Sequence, residues 1–227
     1  FRDLKTMKKK MSIRIAIDAC MTVLLLALMG RQISGESAHE WLGALMFVLW
    51  IVHHLFNVRW YGNLGKGRYT PYRIVQTIIN GLLLIAMLVT MISAVILSRE
   101  VFVFLSINGG IAMARGLHIA GAFWSFVLMA AHLGLHWQMI LGMARKRFGP
   151  CVPKARWLIR AAGALIALYG LSAFIRHQFL IYLSLSSSFV FFDHTQPAVL
   201  FFVDHAAIIG MFVFLAHYGS KALSRRK

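Results

Sequence analysis

At 227 residues, 59% hydrophobic and 14% charged, the chain is too apolar for an ordinary soluble domain, in which about 25% of residues are charged, and far too apolar for a disordered one. Its formal charge of +17, from 24 Lys and Arg against 7 Asp and Glu, raises nucleic acid as a partner. At a mean hydropathy of +0.72 the same excess is better spent on orienting a membrane protein, so an all-α integral membrane fold is expected and nucleic acid is not.

A spanning helix needs about 20 mostly apolar residues, and six stretches qualify: 12–33, 38–58, 72–97, 113–142, 157–183 and 196–220. Before the first stand Arg2, Lys5, Lys8, Lys9, Lys10 and Arg14. After the second come Arg59, Lys66, Arg68 and Arg73; after the fourth, Arg145, Lys146, Arg147, Lys154, Arg156 and Arg160; after the sixth, Lys221, Arg225, Arg226 and Lys227. The opposite side keeps Arg31, Arg99, Arg115 and Arg176, so the positive-inside rule predicts a multi-pass protein with both termini cytoplasmic. The run from Lys8 to Gly30 has the basic start and apolar stretch of a signal peptide, but no A-x-A site follows and Asp18 sits inside it; an uncleaved helix is expected. Cys20 and Cys151 form no C-x-x-C-H and read as inert thiols.

Ten histidines in so apolar a chain need a cause, because ionisable groups at membrane depth are costly and usually have a task. His39 and His53 stand fourteen residues apart on the second helix, and His118 and His132 stand fourteen apart on the fourth. Both helices run the same way across the membrane, so His39 is level with His118 and His53 with His132. Fourteen residues rise about 21 Å and return to one face at the 3.5-residue period, placing one pair near each edge of a roughly 30 Å hydrocarbon core. Each pair suits the two axial positions of a haem iron. The plain alternative is a set of core histidines hydrogen-bonded across helices. Gly43, Gly116, Gly121 and Gly134 are expected to make room beside the macrocycles.

The segment from His39, H-E-W-L-G-A-L-M-F-V-L-W-I-V-H, aligns with H-I-A-G-A-F-W-S-F-V-L-M-A-A-H from His118, and Asn57 then falls opposite His136. Helices one to four therefore read as a duplicated hairpin forming a four-helix bundle. His54 and His136 are alternative inner ligands or interface residues. Arg115, three residues before His118, is the best-placed partner for an outer haem propionate. His177, Asp193, His194, Asp204 and His205 gather towards the outer half of the last hairpin, as a quinone and proton site or as a hydrogen-bonded helix pair. The apolar segments between Ser98 and Arg115 and from Phe189 to Phe192 either roof a pocket or pack. The domain reading is a cytoplasmic tail 1–11, a di-haem bundle 12–142, a cytoplasmic connection 143–156, and an added hairpin with a basic tail, 157–227.

The paired histidines resemble the di-haem bundle of the cytochrome b of quinol:cytochrome c oxidoreductases. M-K-K-K-M-S-I-R-I-A-I-D, H-E-W-L-G with H-H-L-F-N-V-R-W-Y, K-G-R-Y-T-P-Y-R, and L-H-I-A-G with H-L-G-L-H-W are similar to the flavinylation-associated membrane cytochrome b family over residues 7 to 142. That resemblance implies two b haems on His39, His118, His53 and His132. It also implies a prokaryotic plasma membrane and electron passage between a quinone pool and an extracytoplasmic flavoprotein or cytochrome subunit. Two rivals use the same histidines: a divalent-metal transporter, which generally wants carboxylates beside imidazoles, and a membrane di-iron oxygenase, which wants its histidines at one depth. In a third reading the chain is a membrane anchor subunit.

Overall fold

The computed structural model describes residues 2–107, 109–149 and 152–225. Cys151 and the last two basic residues, Arg226 and Lys227, lie outside them. Ten α-helices follow in order: α1 Arg2–Met29, α2 Arg31–Ser34, α3 Glu36–Phe56, α4 Val58–Gly62, α5 Pro71–Leu97, α6 Ile111–Leu135, α7 Trp137–Phe148, α8 Pro153–Arg176, α9 Phe179–Leu183 and α10 Ala198–Arg225. A single 3-10 turn, Val103–Leu105, interrupts the long connection before α6, and no strand occurs among the described residues. Six helices are long and apolar enough to cross a membrane: α1 from Met11, α3, α5, α6, α8, and α10 as far as Ser224. The all-helical, multi-pass fold follows.

The boundaries depart from the sequence reading at interpretable points. The tail expected at 1–11 is helical from Arg2 and continuous with the first span. The stretch 113–142 is two helices that meet at His136, and 157–183 is two that meet at His177 and Gln178. Gln178 has a φ of +52°, a left-handed turn that no continuous helix accommodates. Thr70 opens α5 by accepting the Arg73 backbone N–H on its hydroxyl, with Pro71 at the first helical position, where its missing N–H costs nothing.

Large apolar side chains stay on the outside: Leu55 is 68% exposed, Leu165 67% and Val199 75%, as expected where lipid is the solvent. Helix contacts therefore depend on close backbone approach rather than on expelling water. A Cβ on Gly121 would meet Thr90 Oγ1 at 2.5 Å and the Ala86 carbonyl at 3.3 Å, which seats α6 on α5. Gly134 lies against Val213 and Ala216, which seats α6 on α10, and Gly170 lies against the Ala207 carbonyl, which seats α8 on α10. Gly121 and Gly134 are thus filled by neighbouring helices and leave no room for a macrocycle, contrary to the sequence expectation. Gly43 alone meets nothing within 4 Å and lines a cavity; Gly116 meets only Ser188.

The core sits where α6, α9 and α10 converge, around Phe126, Phe179, Tyr182 and Ile208. The hairpin of α1 and α3 touches that of α5 and α6 only sparingly. A gap between the two hairpins is the result.

Candidate functional site

That gap widens into a cavity of about 1300 Å³ at one end of the molecule, above the about 300–1,000 Å³ usual for a small-ligand site. Arg31 after α1, Arg99 after α5, Arg115 in α6 and Arg176 closing α8 all line it. These are the four cations that the sequence reading separates from the rest. Arg31 pairs with Glu36 at 3.1 Å, Arg115 lies 5.4 Å over the Phe189 ring, and Arg176 reaches Asp204 at 3.1 Å.

His39 on α3 and His118 on α6 face each other across this cavity with ring centroids 6.1 Å apart and planes at 76°. A first-row metal–imidazole bond is about 2.0 Å and the ring centroid stands about 1.1 Å behind its nitrogen, so two imidazoles trans on one ion have centroids about 6 Å apart. The observed spacing fits. His118 Nδ1 donates to the Thr90 carbonyl at 3.1 Å, an acceptor that forces the proton onto Nδ1 and leaves Nε2 for a metal. His39 Nδ1 is buried without a well-formed hydrogen bond.

The other pair is prepared differently. His53 Nδ1 donates to the Asp18 carboxylate of α1 at 2.7 Å, and His132 Nδ1 donates to Asn80 Oδ1 of α5 at 2.8 Å. In both rings Nε2 remains for a metal. No ring contact joins His53 and His132 among the described residues, and neither lines the large cavity. The alternative inner residues are engaged elsewhere: His54 Nδ1 meets the Tyr61 hydroxyl at 2.6 Å, with the Trp50 ring edge-on at 4.3 Å. His136 Nε2 lies 3.4 Å from the Gln76 amide and its ring packs on His132 at 4.7 Å.

The five-residue outer cluster divides. His177, Asp204 and His205 come together: Asp204 accepts from His177 Nε2 at 2.9 Å, and the His177 and His205 rings are 4.9 Å apart. Asp193 accepts from the Thr195 backbone N–H and hydroxyl at 2.8 and 2.6 Å, bonds that hold its carboxyl below the ordinary range, and His194 meets Phe192 edge-on. Asp193 nonetheless lines the same cavity as His177, Asp204 and His205, whereas His194 does not.

Several residues were missed from sequence. Asp18 and Asn80 prepare the inner imidazoles, and Tyr169 and Gln196 complete the shell of Asp204. Glu40, beside His39 on α3, turns away from it and accepts from Ser98 Oγ and from the N–H groups of Arg99, Glu100 and Val101. It pins the connection whose Phe102 and Ile107 line the cavity while Phe104, 73% exposed, points outwards. The scarcity of acids, only 7 in the chain, was the available signal.

Among the described residues no three His, Cys, Asp or Glu side chains converge on one point. Of the two expected pairs, His39 and His118 are the one in ring contact. In comparisons with family descriptions, curated proteins and solved structures, nothing matches this chain.

Proposed function

We propose that the chain is a membrane cytochrome b that carries electrons across the bilayer of a prokaryotic plasma membrane through two bis-histidine b haems. It would be an electron-transfer subunit of a quinol oxidoreductase complex, working between a quinone pool and an extracytoplasmic flavin- or haem-containing partner, with both termini cytoplasmic. The observation that carries this reading is the His39–His118 pair, 6.1 Å apart across a cavity lined by four arginines.

His39 and His118 would hold one haem, and His53 and His132 the other. A haem held in this way supplies reversible one-electron transfer at iron. The protein's part is fixed spacing and tuned potential. Arg115 on the cavity wall would receive an anionic propionate. Thr90, Asp18 and Asn80 hold three of the imidazoles in the tautomer that leaves Nε2 available.

The test is a dithionite-reduced visible spectrum with haem quantified per chain. A sharp α-band and two haems per chain are expected. Replacement His39→Ala should remove one haem and keep the other, seen as a halving of the haem-to-protein ratio. Bound zinc without a Soret band would favour metal transport, and non-haem iron would favour an oxygenase; either outcome defeats the cytochrome.

A further inference from the structure

At the end of the molecule opposite the large cavity, α8 starts and α10 finishes side by side. The two run antiparallel in a fixed register: Gly170 lies on Ala207, Gly210 on Ile166, and Gly163 on the Phe214 ring. One turn further along, that register brings Arg160 of α8 level with Tyr218 of α10, whose ring stands 4.6 Å from Phe214. Close packing stops there. Gly219 meets nothing within 4 Å, and a second cavity, of about 280 Å³, opens between the helices, lined by Arg160, Tyr218, Lys221 and Ala222.

Two cations share this small space without a counter-ion. Neither Arg160 nor Lys221 enters an ion pair among the described residues. The carboxylates of Asp18, Glu36, Glu40, Glu100, Asp193 and Asp204 are all engaged with other partners. The Tyr218 hydroxyl has no hydrogen bond among the described residues either. Like charges held on neighbouring helices repel, and near a low-dielectric medium an anion between them relieves the repulsion. A guanidinium fork, an ammonium and a phenolic hydroxyl around one space are the complement of phosphate oxygens.

Depth selects the source of the phosphate. Arg160 lies five residues inside the span that begins at Ala155, and Lys221 three residues before the span that closes at Ser224 ends. Both therefore stand within about 8 Å of a span end, the level at which lipid headgroups meet the hydrocarbon. Trp157 is 68% exposed beside them, as an interfacial aromatic is, and exposed Leu158, Ile159 and Leu215 offer an apolar surface to acyl chains.

We propose that the cleft between α8 and α10 binds the phosphate of an anionic phospholipid, with Arg160 and Lys221 pairing with its charge and Tyr218 donating to one of its oxygens. A zwitterionic lipid brings its own ammonium group, which competes for the same phosphate, so the cleft prefers a lipid with net negative charge. The inference goes beyond the haem reading and does not depend on it.

The test uses the purified full chain in detergent, with phosphatidylglycerol or phosphatidylcholine titrated in and bound lipid counted by native mass spectrometry. One phosphatidylglycerol per chain, held at least about tenfold more tightly than phosphatidylcholine, is expected, together with a raised melting temperature. Arg160→Gln and Lys221→Gln combined should erase both the preference and the thermal shift. Lys66→Gln combined with Arg68→Gln, which removes the same charge from the exposed connection before α5, should keep both. Tyr218→Phe leaves the ring on Phe214 and should weaken phosphatidylglycerol about fivefold, the scale of one lost hydrogen bond. Equal retention of the two lipids, or equal loss in the two double variants, would reduce the effect to diffuse charge and overturn the site. Inorganic phosphate and glycerol 3-phosphate are run in parallel, and the same thermal shift from either at the lipid's concentration would overturn the lipid assignment. If the Arg160 and Lys221 double variant fails to fold, Tyr218→Phe and the lipid comparison carry the test.

Discussion

The histidines differ less in their own chemistry than in what holds the far nitrogen of each ring. His118 is backed by a neutral carbonyl at 3.1 Å, whereas His53 is backed by the Asp18 carboxylate at 2.7 Å. A carboxylate drawing on the ring proton makes the imidazole a stronger electron donor and favours the oxidised metal. Asp18→Asn should therefore raise the midpoint potential of one haem by some tens of millivolts and leave the other where it was, as read by redox titration of the α-band. Two unmoved potentials would mean that His53 is not a ligand. His54, next in sequence, would give no such shift when its partner Tyr61 is changed, since its ring is committed to Trp50 and Tyr61.

Among the helices, close contact is concentrated on one side. Gly121, Gly134 and Gly170 let α5, α6, α8 and α10 approach until backbone meets backbone, while α1 and α3 stand off. On the proposed reading, the tightly packed helices would hold one ligand of each pair rigidly, and the looser hairpin would leave space for a cofactor. Gly134→Leu should force α6 from α10 and destabilise the fold by about 1–3 kcal/mol or more, measured as a lowered melting temperature in detergent. Gly43→Leu, facing open space, should spare the melting temperature and lower haem content instead. The duplicated hairpin has a structural echo here, for α3 ends at Asn57 and α6 at His136, the two positions aligned from sequence, and a further helix follows each.

Across the whole molecule, the ends of α1, α5 and α8 and the starts of α3, α6 and α10 share the end that contains the cavity. The basic connections after α3 and α6 and the residues before Met11 share the other. If the sparse end faces outwards, alkaline phosphatase fused within the 98–107 connection should be active, and a fluorescent reporter following Ser224 should fluoresce only from the cytoplasm. The reverse pattern would place the cavity and the His39–His118 pair on the cytoplasmic side. Glu40 bears on the same end of the molecule: it holds the 98–101 connection over the cavity through the Ser98 hydroxyl and three backbone N–H groups. Glu40→Ala should speed proteolysis of that connection in the purified protein without removing a ligand.

The all-helical membrane fold, the number of spans and the shared level of His39 and His118 were legible in the sequence, because length, hydropathy and the 3.5-residue period act locally along each helix. Which histidines share a space was only half legible: equal depth puts His39 level with His118, but facing depends on how the hairpins rotate, and only packing settles that. Gly121 and Gly134 looked like cofactor room and are helix contacts, since a glycine's purpose lies in what approaches it. Asp193 was expected beside His177, Asp204 and His205 and shares their cavity, its carboxylate held by Thr195, while His194 meets Phe192 outside it. Asp18 with His53, Asn80 with His132, and Tyr169 with Asp204 join residues 35 to 52 positions apart. No local period encodes such distances; they exist only once separate helices lie side by side and a buried polar group must find its partner across the gap.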